Sequence, residues 1–122
     1  MILLIIISLT FFFGVIVASA WSTDKESLHD YAVYLATHEE LNVGEFLATI
    51  KCESGFNASA IGDHGKSYGI AQIHLPAHSY ITKEQALNPF WSLNWMADQW
   101  TKGRKGMWTC WQTMGLKYLS QM

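Results

Sequence analysis

Basic charge is scarce in this chain, and so are proline and cysteine. Eight Lys and Arg stand against ten Asp and Glu, for a formal net charge of −2. A nucleic-acid partner needs a basic patch to meet its phosphates, so none is expected. Two prolines and nine glycines do not suggest disorder, and neither a repeat nor a low-complexity tract is present. The two cysteines form no CxxC pair and no HExxH segment occurs, which argues against a zinc ribbon and a zinc protease. With 122 residues, one domain is the natural expectation.

No Lys or Arg precedes Lys25, and what stands there instead is apolar. Residues 2–18 are almost unbroken Ile, Leu, Phe and Val, ending in Ala18-Ser19-Ala20. Small residues there suit signal-peptidase cleavage before Trp21. The run is also long enough to span a bilayer as an uncleaved anchor, at roughly 20 residues. Residues 1–20 are therefore a signal peptide or an N-terminal membrane anchor, and residues 21–122 leave the cytoplasm in either case. Export opens a role for Cys52 and Cys110, which have only one way to pair. The alternative is two buried free thiols.

The exported part reads as mostly helical, a small α+β domain with a short irregular or β-like loop. Thr23-Asp24-Lys25-Glu26 resembles a capping box opening a helix that places Leu28, Ala32 and Leu35 on one face and stops near Asn42–Gly44. A second helix begins at about Glu45 and ends at Gly55. Residues 56–68 form a loop with a hairpin-like excursion around Gly62 and Gly65. Thr82 with Gln85 opens a short helix to Leu87. Asn88-Pro89 caps the next helix, which carries Phe90, Leu93, Met96, Ala97 and Trp100. Lys102–Gly106 is an exposed turn, whose Lys102, Arg104 and Lys105 are a solvated cluster or a contact for anionic lipid or cell wall. Residues 108–122 form a final helix or pair of turns.

Glu53 stands out on the second helix. Phe46, Ile50 and Glu53 are spaced four and three apart, so they share one side, with Leu47 and Ser54 beside them. This puts a carboxyl on the buried stripe at a helix C-terminus. Desolvation and the negative end of the helix dipole both disfavour its anion there. A carboxyl kept protonated near neutral pH is suited to general acid catalysis on a glycosidic oxygen. Taken alone, a helix-terminal Glu turned into water is the commoner case.

The surrounding residues favour the catalytic role. Glu53-Ser54-Gly55-Phe56-Asn57, Ala60-Ile61-Gly62 and Gly65-Lys66-Ser67-Tyr68-Gly69-Ile70-Ala71-Gln72-Ile73 follow in order. This arrangement resembles the soluble-type lytic transglycosylase (SLT) domain of the lysozyme-like superfamily. The resemblance covers roughly residues 45–100, with Leu87-Asn88-Pro89 and Ser92-Leu93 similar to the next helix of that family. It implies a lysozyme-like fold and no cofactor. It implies that Glu53 protonates the β-1,4 oxygen between N-acetylmuramic acid and N-acetylglucosamine in peptidoglycan glycan strands. Glu53 then serves as base while the muramyl 6-hydroxyl closes to a 1,6-anhydro sugar. Ser54 would support the site by hydrogen bonding. Gln72 would contact substrate, with Tyr68 and Gly69 shaping the same wall and Gly69 admitting a sugar closely.

Gly62-Asp63-His64-Gly65 also resembles the loop of goose-type lysozymes, in which an Asp helps position water. An inverting hydrolase needs a second carboxylate about 6.5–9.5 Å away. Asp63 is that group, or an ordinary loop Asp bonded to its own backbone. The family's later Ala-Tyr-Asn-Ala-Gly segment is missing; Trp108-Thr109-Cys110-Trp111 stands in its place, and Tyr118 is only a loose counterpart. If Cys110 pairs with Cys52, it ties the catalytic helix to this C-terminal segment.

Six tryptophans is many for this length, and core packing accounts for most. Trp108 and Trp111 are the candidates for stacking on a sugar. His64, His74 and His78 beside Asp63 suggest zinc, but Pro76 breaks the helical spacing of His74 and His78, so no metal is expected. Three functions follow: a peptidoglycan lyase, a hydrolytic lysozyme using Glu53 with Asp63, or a non-catalytic glycan-binding or structural protein on the same scaffold. Small size and the habits of the family suggest an accessory enzyme for a secretion machine or phage assembly, acting in the periplasm or outside the cell.

Overall fold

A computed structural model describes residues 22–120, with the side chains of 116–120 outside the description. The signal peptide or anchor expected at 1–20, and the side chain of Tyr118, therefore lie outside the described residues. Five α-helices are described: α1 (Lys25–His38), α2 (Val43–Ser54), α3 (Lys83–Leu87), α4 (Pro89–Thr101) and α5 (Thr109–Ser120). Three two-residue strands, β1 (Ile61–Gly62), β2 (Ser67–Tyr68) and β3 (Ile73–His74), form an antiparallel sheet in the order β1-β2-β3. Ile61 pairs with Tyr68, and Tyr68 with Ile73. The mostly helical α+β expectation holds, and the hairpin-like excursion is β1–β2. Among the described residues, no helix is long and apolar enough to cross a membrane.

Helix boundaries follow from caps. Asp24, not Thr23, caps α1 by accepting from the Ser27 N–H at 2.9 Å. Glu26 then falls one position too early to complete the expected capping box. The helix ends at His38, earlier than expected, because Glu40 takes φ 56° and Leu41 N–H donates back to the Ala36 carbonyl at 2.8 Å. Together with Glu40 N–H on Thr37 this is a Schellman ending, built without the usual glycine. Asn42 caps α2 through the Glu45 N–H at 3.0 Å, so α2 starts two residues before Glu45. Gly55 ends it in the left-handed conformation. Thr82 and Gln85 form both halves of a capping box, and Asn88 caps α4 ahead of Pro89.

The core lies where α1 packs against both α2 and α4. Phe46 and Ile50 are fully buried among Leu28, Ala32 and Leu35 of α1 and Leu93, Met96 and Trp100 of α4. Phe46 meets Trp100 edge-on, with ring centroids 5.1 Å apart. Helix α3 packs on α4 and on β2, while α5 packs on α2. The short sheet thus sits beside the C-terminal end of α2, the end that carries Glu53.

Gly69 is where α3 touches the sheet. Its φ is +80°, and a Cβ there would lie on the backbone carbonyl of Ala86. Gly69→Ala should therefore cost about 2–5 kcal/mol in urea unfolding, from a left-handed penalty of ~1–2 together with overpacking of ~1–3. Gly55→Ala, with only one backbone atom near its added Cβ, should cost about 1–2 kcal/mol from the first term alone. Equal costs at the two positions would contradict the close approach at Gly69.

Candidate active site

Three side chains pin the turn 69–72, which joins β2 to β3. Ser54, the last residue of α2, donates its hydroxyl to the Ile70 carbonyl at 2.6 Å. Trp108 donates Nε1–H to the Ala71 carbonyl at 2.8 Å. Gln72 donates both amide hydrogens, to Ala60 at 3.1 Å and Gly69 at 2.9 Å. The Ser54 and Trp108 bonds satisfy the Ile70 and Ala71 carbonyls, while Gln72 adds a second donor to the Ala60 and Gly69 carbonyls, which already accept backbone N–H groups. Together these bonds fix the turn against the end of α2.

A groove of about 680 Å³ opens over this turn. Glu53, Asp63, Ser67, Gln72, His74, His78, Met107 and Trp108 are among the residues that line it. That volume is within the range of about 300–1,000 Å³ common for ligand pockets. Glu53 is half-buried on its wall. Its Oε1 accepts from the backbone N–H of Cys110 at 3.1 Å. Cys110 lies in the first turn of α5, where backbone N–H groups have no partner inside the helix. The Glu53 carboxylate is thus a cap supplied to α5 from another helix. Burial pushes its pKa above the ordinary value, and the Cys110 N–H pulls it partly back.

The two cysteines are joined. Cys52 and Cys110 form a disulfide with 6.0 Å between their Cα atoms, which ties α2 to α5 one residue before Glu53. This is the link expected from position, and it is consistent with an oxidising, exported location.

Asp63 lies in the β1–β2 turn. Its carboxylate pairs with His74 Nδ1 at 2.8 Å. The ordinary loop role, bonding to its own backbone, is not what it adopts. Asp63 and His64 take φ of 52° and 55°, followed by Gly65 at 79°. Two consecutive non-glycine residues in this region carry strain, typically about 1–3 kcal/mol each, and such strain clusters at functional sites. Ser67 Oγ lies 3.2 Å from the same His74 nitrogen. Serine and aspartate share one ring nitrogen, so these three residues do not form a Ser-His-Asp relay, which needs one partner on each nitrogen.

Other expected residues fall differently. Ser67 and Tyr68 alternate across β2, and only Ser67 lines the groove. Tyr68 turns toward α3, where Lys83 Nζ sits 4.9 Å from its ring centre, and its hydroxyl donates to the Gly65 carbonyl. Gly69 makes room for α3 rather than for a sugar. Gln72 lines the groove, but its donors are engaged, leaving its oxygen as acceptor. Trp108 is only 4% exposed and packs against Trp95 and Trp100, so it forms a wall and not a free stacking face. Trp111 faces a separate cavity beside Glu45 and Met114. His64 is not among the groove-lining residues. Among the described residues, no three His, Cys, Asp or Glu side chains come together as a metal site. Of the cluster expected on the 102–106 turn, Lys102 pairs with Asp98 at 2.8 Å and Lys105 with Glu45 at 3.1 Å.

The sequence did not single out Met107, which is 41% exposed on the rim, or the Cys110 amide. The second was within reach: a disulfide from the neighbour of Glu53 to a helix start brings that start to Glu53. Compared with protein-family models, with curated proteins and with solved structures, the chain finds no match.

The Glu53 pKa has a consequence for stability. A folded value above the unfolded one gives stabilisation that is complete below the unfolded pKa and is lost as pH rises through the folded pKa. Glu53→Gln stays neutral throughout. Its thermal midpoint relative to wild type should therefore rise between about pH 4 and pH 7, with the gap largest at neutral pH. A gap that shrinks over that range would contradict the raised pKa.

Proposed function

We propose that this protein cleaves the glycan strands of peptidoglycan, with Glu53 as general acid, after export to the periplasm or the cell exterior. The observation that carries the proposal is the half-buried Glu53 carboxyl, facing an open groove with its pKa raised by desolvation. A raised pKa favours the protonated form, the one that can give its proton to a leaving oxygen. The substrate class comes from the resemblance of residues 53–73 to lytic transglycosylases. A non-catalytic protein could use Glu53 only as the cap of α5, and would gain nothing from the groove that the carboxyl faces.

In the first outcome, Glu53 protonates the glycosidic oxygen, and its carboxylate is then stabilised by the Cys110 N–H. It next takes the proton of the muramyl 6-hydroxyl as that oxygen closes on the anomeric carbon. One carboxyl suffices, and the product has a 1,6-anhydro end.

A specific observation favours a second outcome, hydrolysis. Asp63 lines the same groove as Glu53, and His74 fixes its carboxylate. A carboxylate so held is suited to activating water on the far face of the sugar.

Digestion of purified peptidoglycan, with mass spectrometry of the products, separates the two. A lyase leaves ends that borohydride does not reduce, and Asp63→Asn retains most of its activity. A lysozyme leaves reducible ends, and Asp63→Asn loses about as much as the acid variant. Under either outcome, Glu53→Gln should lose ~10²–10⁴-fold in rate, the usual contribution of general acid catalysis. Wild-type activity in Glu53→Gln would remove the proposal.

A further inference from the structure

Glu53 stands between two helix ends of opposite polarity. It is carried by the last turn of α2, where the helix dipole is negative, and it caps the first turn of α5, where the dipole is positive. The first end favours the neutral acid and the second favours the anion. A residue that must give a proton and then exist as a carboxylate needs both influences. Which one Glu53 feels depends on how firmly α5 is held against α2.

One covalent bond fixes that distance right beside Glu53, while Trp108, buried and bonded to the Ala71 carbonyl, holds the residue that precedes α5. The sulfurs of Cys52 and Cys110 are joined, Cys52 is next to Glu53 in sequence, and the Cys110 backbone N–H is the donor to Glu53. The same residue therefore carries the cross-link and the hydrogen bond. Helix α5 also packs on α2, and Trp111 Nε1 reaches Oε2 of Glu45, in the first turn of α2, at 3.4 Å. We propose that the Cys52–Cys110 disulfide is a positioning device for Glu53, holding the first turn of α5 as the fixed hydrogen-bond donor to its carboxylate.

Cys52 is exposed, so this clamp is open to thiols. A dithiol reductant would supply two electrons and two protons to the bond. It would leave two cysteine thiols and the oxidised cyclic disulfide of the reductant. The acid would then keep its burial on α2 and lose its partner on α5. The other titratable groups around the groove are Asp63 on the β1–β2 turn, His74 on β3 and His78 after it. None of these is bound to either cysteine, and all three remain in place when the clamp opens.

The proposal rests on the role given to Glu53 above, but its test does not require activity. The Glu53 carboxyl is followed by carbon NMR against pH in three forms of the full chain: oxidised wild type, wild type reduced with dithiothreitol, and the double variant Cys52→Ser/Cys110→Ser. Loss of the N–H donor removes the influence that favours the anion, so the Glu53 midpoint should move to higher pH in both disulfide-free forms. It should return on reoxidation of the reduced wild type. The backbone amide signals of Asp63 and His74, recorded on the same samples, should stay at their oxidised positions. An unchanged Glu53 midpoint in disulfide-free protein that keeps its far-ultraviolet circular dichroism would overturn the proposal and leave the catalytic role of Glu53 standing. A shifted Glu53 midpoint accompanied by displaced Asp63 and His74 amide signals would also overturn it, since that is general loosening and not positioning. If the double variant does not fold, the reduced wild type at low temperature carries the same comparison. Full activity of Glu53→Gln alongside a shifted Glu53 midpoint would instead sink the functional assignment and keep the clamp.

Discussion

A carboxyl on the buried stripe of a helix loses water that its anion needs, and something in the fold must take that water's place. At Glu53 the replacement is one backbone N–H from the first turn of α5. That amide would otherwise lack a partner, as the opening amides of any helix do. One contact thus relieves two deficits, an unpaired donor and a poorly solvated acceptor. The arrangement leaves the carboxyl pKa above its ordinary value without removing all support for the charged form. Partial compensation of this kind is what distinguishes a usable acid from a permanently neutral one.

The rest of the groove is built to keep that contact in place. Ser54, Trp108 and Gln72 each donate to carbonyls of the loop and turn facing α2, so a sheet of three two-residue strands holds a fixed surface. Gly69 lets α3 close behind it. The polar residues given to catalysis by position are mostly spent on this scaffolding. Among the described residues, those that keep functional atoms toward the groove include Glu53, the Asp63–His74 pair, His78 and the Gln72 oxygen. Asp63, on a strained turn and paired across to β3, is thus the carboxylate that would distinguish hydrolysis from lyase chemistry under the proposed function.

Much of this was legible from residue spacing. The four-and-three spacing of Phe46, Ile50 and Glu53 placed the carboxyl on the inner stripe, and Asn88-Pro89 and Thr82–Gln85 marked helix starts that the fold keeps. Cys52 beside Glu53 foretold the link to the C-terminal segment. The misses have a common physical origin. The early end of α1 depends on Glu40 adopting a left-handed conformation, which a glutamate gives no sign of. Tyr68 was assigned to the groove wall, but in a two-residue strand the choice of face follows from the partner strands, and these put Ser67 inside. Trp108 and Gly69 belong to motifs read as substrate-facing, while their tertiary partners, Ala71 and Ala86, make them structural. Backbone groups carry no residue-type signal of their own, and the Cys110 amide could be reached only through the disulfide its residue makes.

The central claim is that the Glu53 proton is the one used in catalysis. Its most direct test compares two curves for the wild-type protein: the alkaline limb of kcat/KM on soluble glycan strands, which reports the free enzyme's essential acid, and the titration of the Glu53 carboxyl itself. The account predicts that the two midpoints coincide and lie above the ordinary glutamate value. A kinetic limb that falls at a different pH from the Glu53 titration, or a Glu53 midpoint at or below the ordinary value, would contradict it.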